Sequence, residues 1–302
     1  MEREPGHDGA RSRAVHTLTV DVEEYFQVEA FAGHVPPETW DSLPSRVVES
    51  TRRVLGLFER YQAKGTFFFV GWVAQRYPHL VREVAAAGHE VACHSHMHRP
   101  IYKLTPDEFR RDARRAKDVI EQAAGAPIHG YRAPTWSITR DSLWALDVLA
   151  EEGFSYDSSI FPVHHDLYGI PGAQRFPHTH DLAAGRKLHE FPPTTLRLMG
   201  MNLPGAGGGY LRMLPFAYTR FVFRQLEERE RQPAMVYVHP WEFDPEQPRI
   251  AAPFRSRLRH YTNLEQMQSR VARLLERHRF EPIRDRLHRS AGDAAARTPL
   301  PN

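Results

Sequence analysis

Apolar positions along this chain recur with two different spacings, and the spacings predict its elements. Residues 15–22 alternate apolar and polar side chains, the mark of a strand with one buried face, and run into Asp21-Val22-Glu23-Glu24. From about Ser45, the positions Val47, Thr51, Val54, Leu55 and Phe58 follow a helical period, which Gly65 breaks. Residues 66–70 form an unbroken apolar run, as expected of a strand covered on both faces. A helix through Leu80, Val81 and Val84 stops at Gly88, and residues 90–93 read as the next strand. Thr105-Pro106-Asp107-Glu108 predicts a capping box with proline at the first helical position, opening a helix to about Ala124. Further strands are expected at 128–133, 154–159, 234–238 and 280–283, with an extended stretch at 188–198. Helices are expected at 139–152, at 215–229, and after a second capping box at Asn263-Leu264-Glu265-Gln266. Residues 205–209, Gly-Ala-Gly-Gly-Gly, match no phosphate loop and read as a flexible loop.

Strand and helix thus alternate with no internal break that looks like a linker. The pattern predicts one α/β domain with a parallel sheet, of a length that suits a single (β/α) barrel, over residues 15–285. Residues 1–14 read as a disordered leader and 286–302 as a disordered tail. Composition is ordinary for a globular protein, at 41% hydrophobic and 25% charged. The 40 basic and 37 acidic residues are interspersed, so no basic stripe suggests nucleic acid. A single cysteine, Cys93, excludes an internal disulfide and a thiolate metal site. No apolar run approaches the ~20 residues of a membrane span and no secretory signal is visible, so a cytoplasmic location is expected. Protein partners cannot be read from the sequence.

Barrel enzymes carry their chemistry at the C-terminal ends of strands. Asp21, His94, Arg132, Asp157 and His239 each fall at or just past such an end. His94-Ser95-His96-Met97-His98 puts three imidazoles within five residues, and the spacing of His94 and His98 would aim both at one ion while His96 points elsewhere. Asp21 and Glu23, two apart on extended chain, face the same side. One of them would complete a metal site and the other serve as base. Arg132 would pair with a carboxylate. Taken singly, each has an ordinary structural alternative: a surface histidine cluster, a solvated strand end, a surface arginine.

The stretches Thr19-Val20-Asp21-Val22-Glu23, His94–His98, Arg132-Ala133-Pro134-Thr135-Trp136, Tyr156-Asp157-Ser158-Ser159 and Val236-Tyr237-Val238-His239 occur in an order and spacing that resemble the polysaccharide deacetylase family, the carbohydrate esterases built on the NodB homology domain. The Val-Asp-Val-Glu variant, with Trp-Glu-Phe and His-Tyr-Thr-Asn-Leu further on, looks most like the subgroup linked to exopolysaccharide loci of bacteria with the exosortase system. The resemblance implies a distorted (β/α) barrel holding one divalent metal, usually Zn2+, and removing N-acetyl groups from the amino sugars of a glycan. It implies His94, His98 and Glu23 as ligands, Asp21 as base, Arg132 as its orienting partner, His239 as acid and Ser95 as support for the histidine loop. The family's common form has two adjacent aspartates, whereas Val22 separates Asp21 from Glu23 here, so ligand and base could be exchanged. Trp136, Tyr156, Asp157 and Trp241 are the expected substrate contacts.

Three other functions compete. A hydrolase of small cyclic amides or ureides would share the fold but need a closed pocket. A two-carboxylate glycosidase using Asp21 and Glu23 would leave the histidines and Arg132 without a role. A non-catalytic carbohydrate-binding module would not need this set of reactive groups.

Overall fold

The computed structural model describes residues 14–296, with side chains through Arg289. In a nine-stranded sheet, β1 (Val15–Val22) stands second in the strand order and has three partners. It pairs in parallel with β10 (Met235–Val238) on one side and β2 (Thr66–Phe69) on the other, while β11 (Arg279–Glu281) pairs with its first residues. From β2 the parallel order runs through β3 (Glu90–Cys93), β4 (Gly130–Tyr131) and β5 (Tyr156–Asp157) to β7 (Lys187–Glu190). Only β6 (His178–Asp181) is antiparallel, against β7, and β8 (Thr195–Leu198) with β9 (Met201–Pro204) forms a separate hairpin.

The sheet curls. Arg132, just after β4, donates to Thr19 and Asp21 of β1, although β2 and β3 intervene in the sheet order. The strand ladder does not close into a ring. Between β7 and β10 the bridge is the Thr194 N–H donating to the Met235 carbonyl at 3.2 Å. The expected barrel is therefore an α/β sheet of barrel type with one seam left without strand pairing.

Period-two alternation sorts the side chains. Leu18, Val20, Val22, Phe67 and Phe69 face outward into the main core, while Phe68 joins Ala92, Tyr156 and Phe191 inside. Seven helices supply the outer layer: α1 (Val47–Arg60), α2 (Gly71–Arg76), α3 (Pro78–Ala86), α4 (Pro106–Ala124), α5 (Trp144–Glu151), α7 (Phe216–Arg224) and α9 (Leu264–Arg277). Beside the C-terminal ends of the strands lie α6 (Gly208–Met213) and α8 (Phe254–Tyr261). None of the described helices is long and apolar enough to cross a membrane.

The Thr105 capping box forms as the sequence predicts, with Thr105 and Glu108 bonded reciprocally. The second does not form. Asn263 sits at φ +56° and its amide donates to the Arg212 carbonyl at 3.0 Å instead of capping α9. The extended stretch at 188–198 breaks at Pro192-Pro193, which cannot donate ladder bonds. Strands β6 and β9 were not predicted; β6, His-Thr-His-Asp, has no apolar alternation to announce it.

Residues 205–209 are packed against the body of the protein. A Cβ on Gly207 or Gly208 would fall 2.4 Å and 2.7 Å from the Tyr237 ring, so the glycines permit close approach of backbone to an aromatic side chain. The predicted disordered tail is also corrected: α10 spans Ile283–Ala296. Its first residue, Ile283, is fully buried at the N-terminal end of the sheet interior, and its N–H donates to Thr66 Oγ1 at 2.8 Å. One buried residue among polar ones is too weak a periodic signal to read from sequence. Residues 1–13 of the expected leader and 297–302 of the expected tail lie outside the described residues.

Candidate active site

The histidine stretch leaves β3 as a loop held by a residue distant in sequence. Ser95 and His98 have positive φ, and Asp112 of α4 accepts from Ser95 Oγ at 2.7 Å and from the His96 N–H at 2.8 Å. Gly71 leaves room for the His96 ring, whose Nδ1 would lie 2.4 Å from a Cβ there. His96 therefore points away, while His94 and His98 converge with their ring centroids 5.2 Å apart.

Glu23 meets them. Its Oε2 lies 2.5 Å from His98 Nε2 and 3.9 Å from His94 Nε2, and all three residues are buried. Its Oε1 accepts the Trp241 indole N–H at 3.0 Å. Burial opposes the Glu23 carboxylate, but His98, His239 and His94 around it hold its pKa below the ordinary range. His94 Nδ1 sits 2.8 Å from the Arg132 carbonyl, a contact that requires Nδ1–H and leaves Nε2 as the bare donor. Burial lowers the His94 pKa to about 4, which keeps the ring in its neutral, ligating form. Two imidazole nitrogens and one carboxylate oxygen within 4.8 Å of one another fit a divalent metal.

Asp21, the other carboxylate of the strand end, accepts from Arg132 Nη1 at 2.7 Å. The guanidinium is wholly buried, 4.1 Å from the Phe68 ring and 4.7 Å from the Trp136 ring, and donates also to Thr19, to the Ser158 carbonyl and hydroxyl and to the Met235 sulfur. Consecutive positive φ values at Thr135 and Trp136 turn the indole back over Arg132. On the far side of Asp21, His239 Nε2 stands 3.8 Å from Asp21 Oδ2 and 3.9 Å from Glu23 Oε1. Burial works against a charged His239, yet the bond and charge of Glu242, with Glu23 and Asp21, raise its pKa from 6.5 to about 9. Glu242 is in turn fixed by the buried Arg212 at 2.6 Å.

These groups form the floor of an open cleft of about 360 Å³. Trp136 and Trp241, two of the expected substrate contacts, line it, and the Trp241 ring is stacked against both His239 and His260. Tyr156 and Asp157 do not line it, and the expected substrate contacts there are corrected. Tyr156 points into the sheet interior over Gly130, where its hydroxyl donates to Glu90 at 2.9 Å. Asp157 is fully buried against Ser159 and Glu190. Sequence reasoning missed Asp112, Arg212, Glu242 and the cleft wall from α6 and α8. Of these, Glu242 alone had a local signal, three residues after His239 and just past a proline.

A second trio among the described residues, His16, Glu227 and His278, has ligand-like spacing. His16 Nδ1 accepts the Ala234 N–H at 2.9 Å, so the proton resides on Nε2 and points at Glu227, 2.8 Å away. That nitrogen has no lone pair for a metal, and the trio is a hydrogen-bonded structural cluster.

An α/β sheet of barrel type with a two-histidine, one-carboxylate group at the C-terminal ends of its strands defines the class of the site. Residues 38–154 match the family profile described as polysaccharide deacetylase, and residues 158–288 match a domain of unknown function, DUF3473. Residues 38–154 of the chain thus carry a polysaccharide deacetylase domain. It is 26% identical over 132 residues to a peptidoglycan-N-acetylglucosamine deacetylase of Bacillus cereus, covering 40% of this chain and 47% of that relative. A chitooligosaccharide deacetylase of Bradyrhizobium is 32% identical over 131 residues, or 41% of this chain and 55% of the relative. The chain thus spans about half the length of these curated relatives. A solved Mycobacterium smegmatis structure described as a polysaccharide deacetylase shares the fold, with TM-score 0.62 and 21% identity, covering 100% of this chain and 96% of that one.

Proposed function

We propose that this protein is a metal-dependent hydrolase that removes N-acetyl groups from the amino sugars of a glycan, in bacterial exopolysaccharide metabolism. One observation carries the reading: the Glu23–His94–His98 group lies between an arginine-paired carboxylate, Asp21, and a histidine with raised pKa, His239, on the floor of an open cleft. The similarity to deacetylases of N-acetylated glycans supports the substrate class, and the Val-Asp-Val-Glu and Trp-Glu-Phe stretches support the exopolysaccharide setting. We take residues 15–285 as the catalytic unit.

His94, His98 and Glu23 would hold the ion, for which Zn2+ suits the donor set. When bound, it supplies Lewis acidity toward the acetyl carbonyl and makes water a better nucleophile near neutral pH. Asp21 takes the proton from the attacking water at Oδ2, the oxygen that Arg132 leaves open. Arg132 fixes the carboxylate through Oδ1. His239 gives its Nε2 proton to the departing sugar nitrogen, so the amine leaves neutral and the acetyl group leaves as acetate. Glu242 holds the opposite ring nitrogen. Trp136 walls the cleft, and the indole N–H of Trp241 fixes Glu23.

His239→Ala is the discriminating variant. It should keep its metal, lose about 10²–10⁴-fold in kcat for acetate release, and lose the alkaline limb of the pH–rate profile. Loss of metal from the folded variant would make His239 a ligand. An unchanged kcat would remove it from the reaction. No acetate from any of a panel of N-acetylated oligosaccharides, with wild-type protein loaded with Zn2+, would defeat the deacetylase reading itself.

A further inference from the structure

The cleft has acidic groups at its floor, and one short helix gives it a basic wall; Glu29, which also lines it, is paired with Lys103. Along α8 the sequence reads Phe-Arg-Ser-Arg-Leu-Arg-His-Tyr, with three arginines and no acid. Arg255 and Arg259 are four residues apart, so they share one face of the helix, and both line the cleft. Arg257, between them, does not line it.

The helix is held in register with the reacting groups. Its His260 is buried, stacked on Trp241 with ring centroids 4.1 Å apart, and bonded to Gln247 at 2.7 Å. Arg212, which also fixes Glu242, donates to the Arg259 carbonyl at 3.2 Å. The anchor of α8 is thus the same Trp241–Arg212 assembly that holds Glu23 and His239. Movement of Arg255 and Arg259 relative to the floor is limited accordingly.

Other arginines near this wall are engaged: Arg46 and Arg53 with Asp244, and Arg249 over the Tyr261 ring. Among the described residues, no carboxylate forms an ion pair with Arg255 or Arg259. Both are exposed. Arg259 also bonds the Tyr168 side chain, a neutral partner, so neither guanidinium charge is balanced by a carboxylate; an anion in the cleft would balance both, and the planar fork of arginine suits carboxylate and phosphate alike.

We propose that the glycan substrate is anionic, and that Arg255 and Arg259 bind a negatively charged substituent, a uronate carboxylate or a sugar phosphate, near the N-acetyl group on the floor. This rests on the deacetylase reading of the same cleft.

The test separates the two readings. Binding is measured by calorimetry with chelator present, so that no turnover intrudes. A hyaluronan tetrasaccharide is compared with chitotetraose, and N-acetylglucosamine 6-phosphate with N-acetylglucosamine. One anionic ligand of the two should bind about three- to tenfold more tightly than its neutral counterpart, which identifies carboxylate or phosphate as the source. The preference should shrink at about 0.5 M salt and fall to near unity in the Arg255→Gln/Arg259→Gln double variant. Arg257→Gln, on the same helix outside the cleft, should keep it. No preference for either anion, or one that survives the double substitution, overturns the proposal. Acetate release from chitotetraose by the zinc-loaded protein is scored separately. Failure there, with the anion preference intact, defeats the hydrolase reading and leaves the subsite standing.

Discussion

Glu242 holds His239 by one oxygen at two points: its Oε2 accepts the His239 backbone N–H at 3.0 Å and lies 3.1 Å from His239 Nδ1. The arrangement is a capping box in which the first residue is the proposed acid. It couples the geometry of a turn to the protonation of a reactive group. Because the Glu242 charge raises the His239 pKa, the acid is protonated below about pH 9 and activity should fall as pH rises through that value. Glu242→Gln should move the alkaline limb to lower pH and cut kcat at pH 8 by about tenfold. The substitution also leaves Arg212 without its carboxylate, so the melting temperature should fall. A drop in stability with the pH profile unmoved would make Glu242 purely structural.

His98→Ala should lose the metal. Elemental analysis is expected to give about one divalent ion per wild-type chain and far less in the variant, since two of the three donors rarely retain a structural or catalytic ion. Equal metal content in both proteins would remove Glu23, His94 and His98 as the ligand set.

Arg132→Ala is expected to reduce both activity and stability while the ligands stay intact. The guanidinium is 0% exposed and bonded to Asp21, Thr19 and Ser158. Removing one partner of such a pair leaves a buried carboxylate uncompensated, at a cost of about 3–5 kcal/mol. Denaturant unfolding and metal analysis on the same sample check the two halves. A variant as stable as wild type with wild-type turnover would make Arg132 dispensable.

Glu190 offers a test of the buried acid pair behind the site. Burial raises its pKa to about 7, above the ordinary 4.5, beside Asp157, whose pKa burial and Glu190 also raise. A carboxyl that binds its proton more tightly in the folded state stabilises the protein below about pH 4.5 and loses that contribution as pH rises through about 7. Glu190→Gln keeps the neutral form at every pH. It should therefore gain about 3 kcal/mol over wild type at pH 8 and less than about 1 kcal/mol at pH 5. A pH-independent difference would show that Glu190 does not titrate there.

What was legible in the sequence was whatever depends on neighbours along the chain. Thr66–Phe69 is buried throughout because an unbroken apolar strand needs cover on both faces, and the sheet supplies it. Asp21 and Glu23 reach the same cleft because a strand repeats every two residues. His94, Arg132 and His239 come together because parallel strands deliver their C-terminal ends to one edge of a curled sheet.

Direction and partnership across the fold were not legible. Tyr156 and Asp157 end a strand just as Asp21 does, but Gly130 opens space that draws Tyr156 into the sheet interior, and Glu190 on β7 encloses Asp157. No spacing in the sequence tells which strand end faces the cleft and which is roofed over. The support for the histidine loop, the clamp on Glu242 and the basic rim come from Asp112, Arg212 and α8, all brought in from other segments. The sequence by itself determined most of the strands and helices, the parallel character of the sheet and the chemical identity of the reactive groups, since these follow from local periodicity and side-chain type. Only the tertiary structure decided which carboxylate meets the histidines, which meets Arg132, and what charge surrounds the cleft. Those outcomes depend on distances of a few ångströms between residues up to about two hundred positions apart, fixed by packing rather than by the chain.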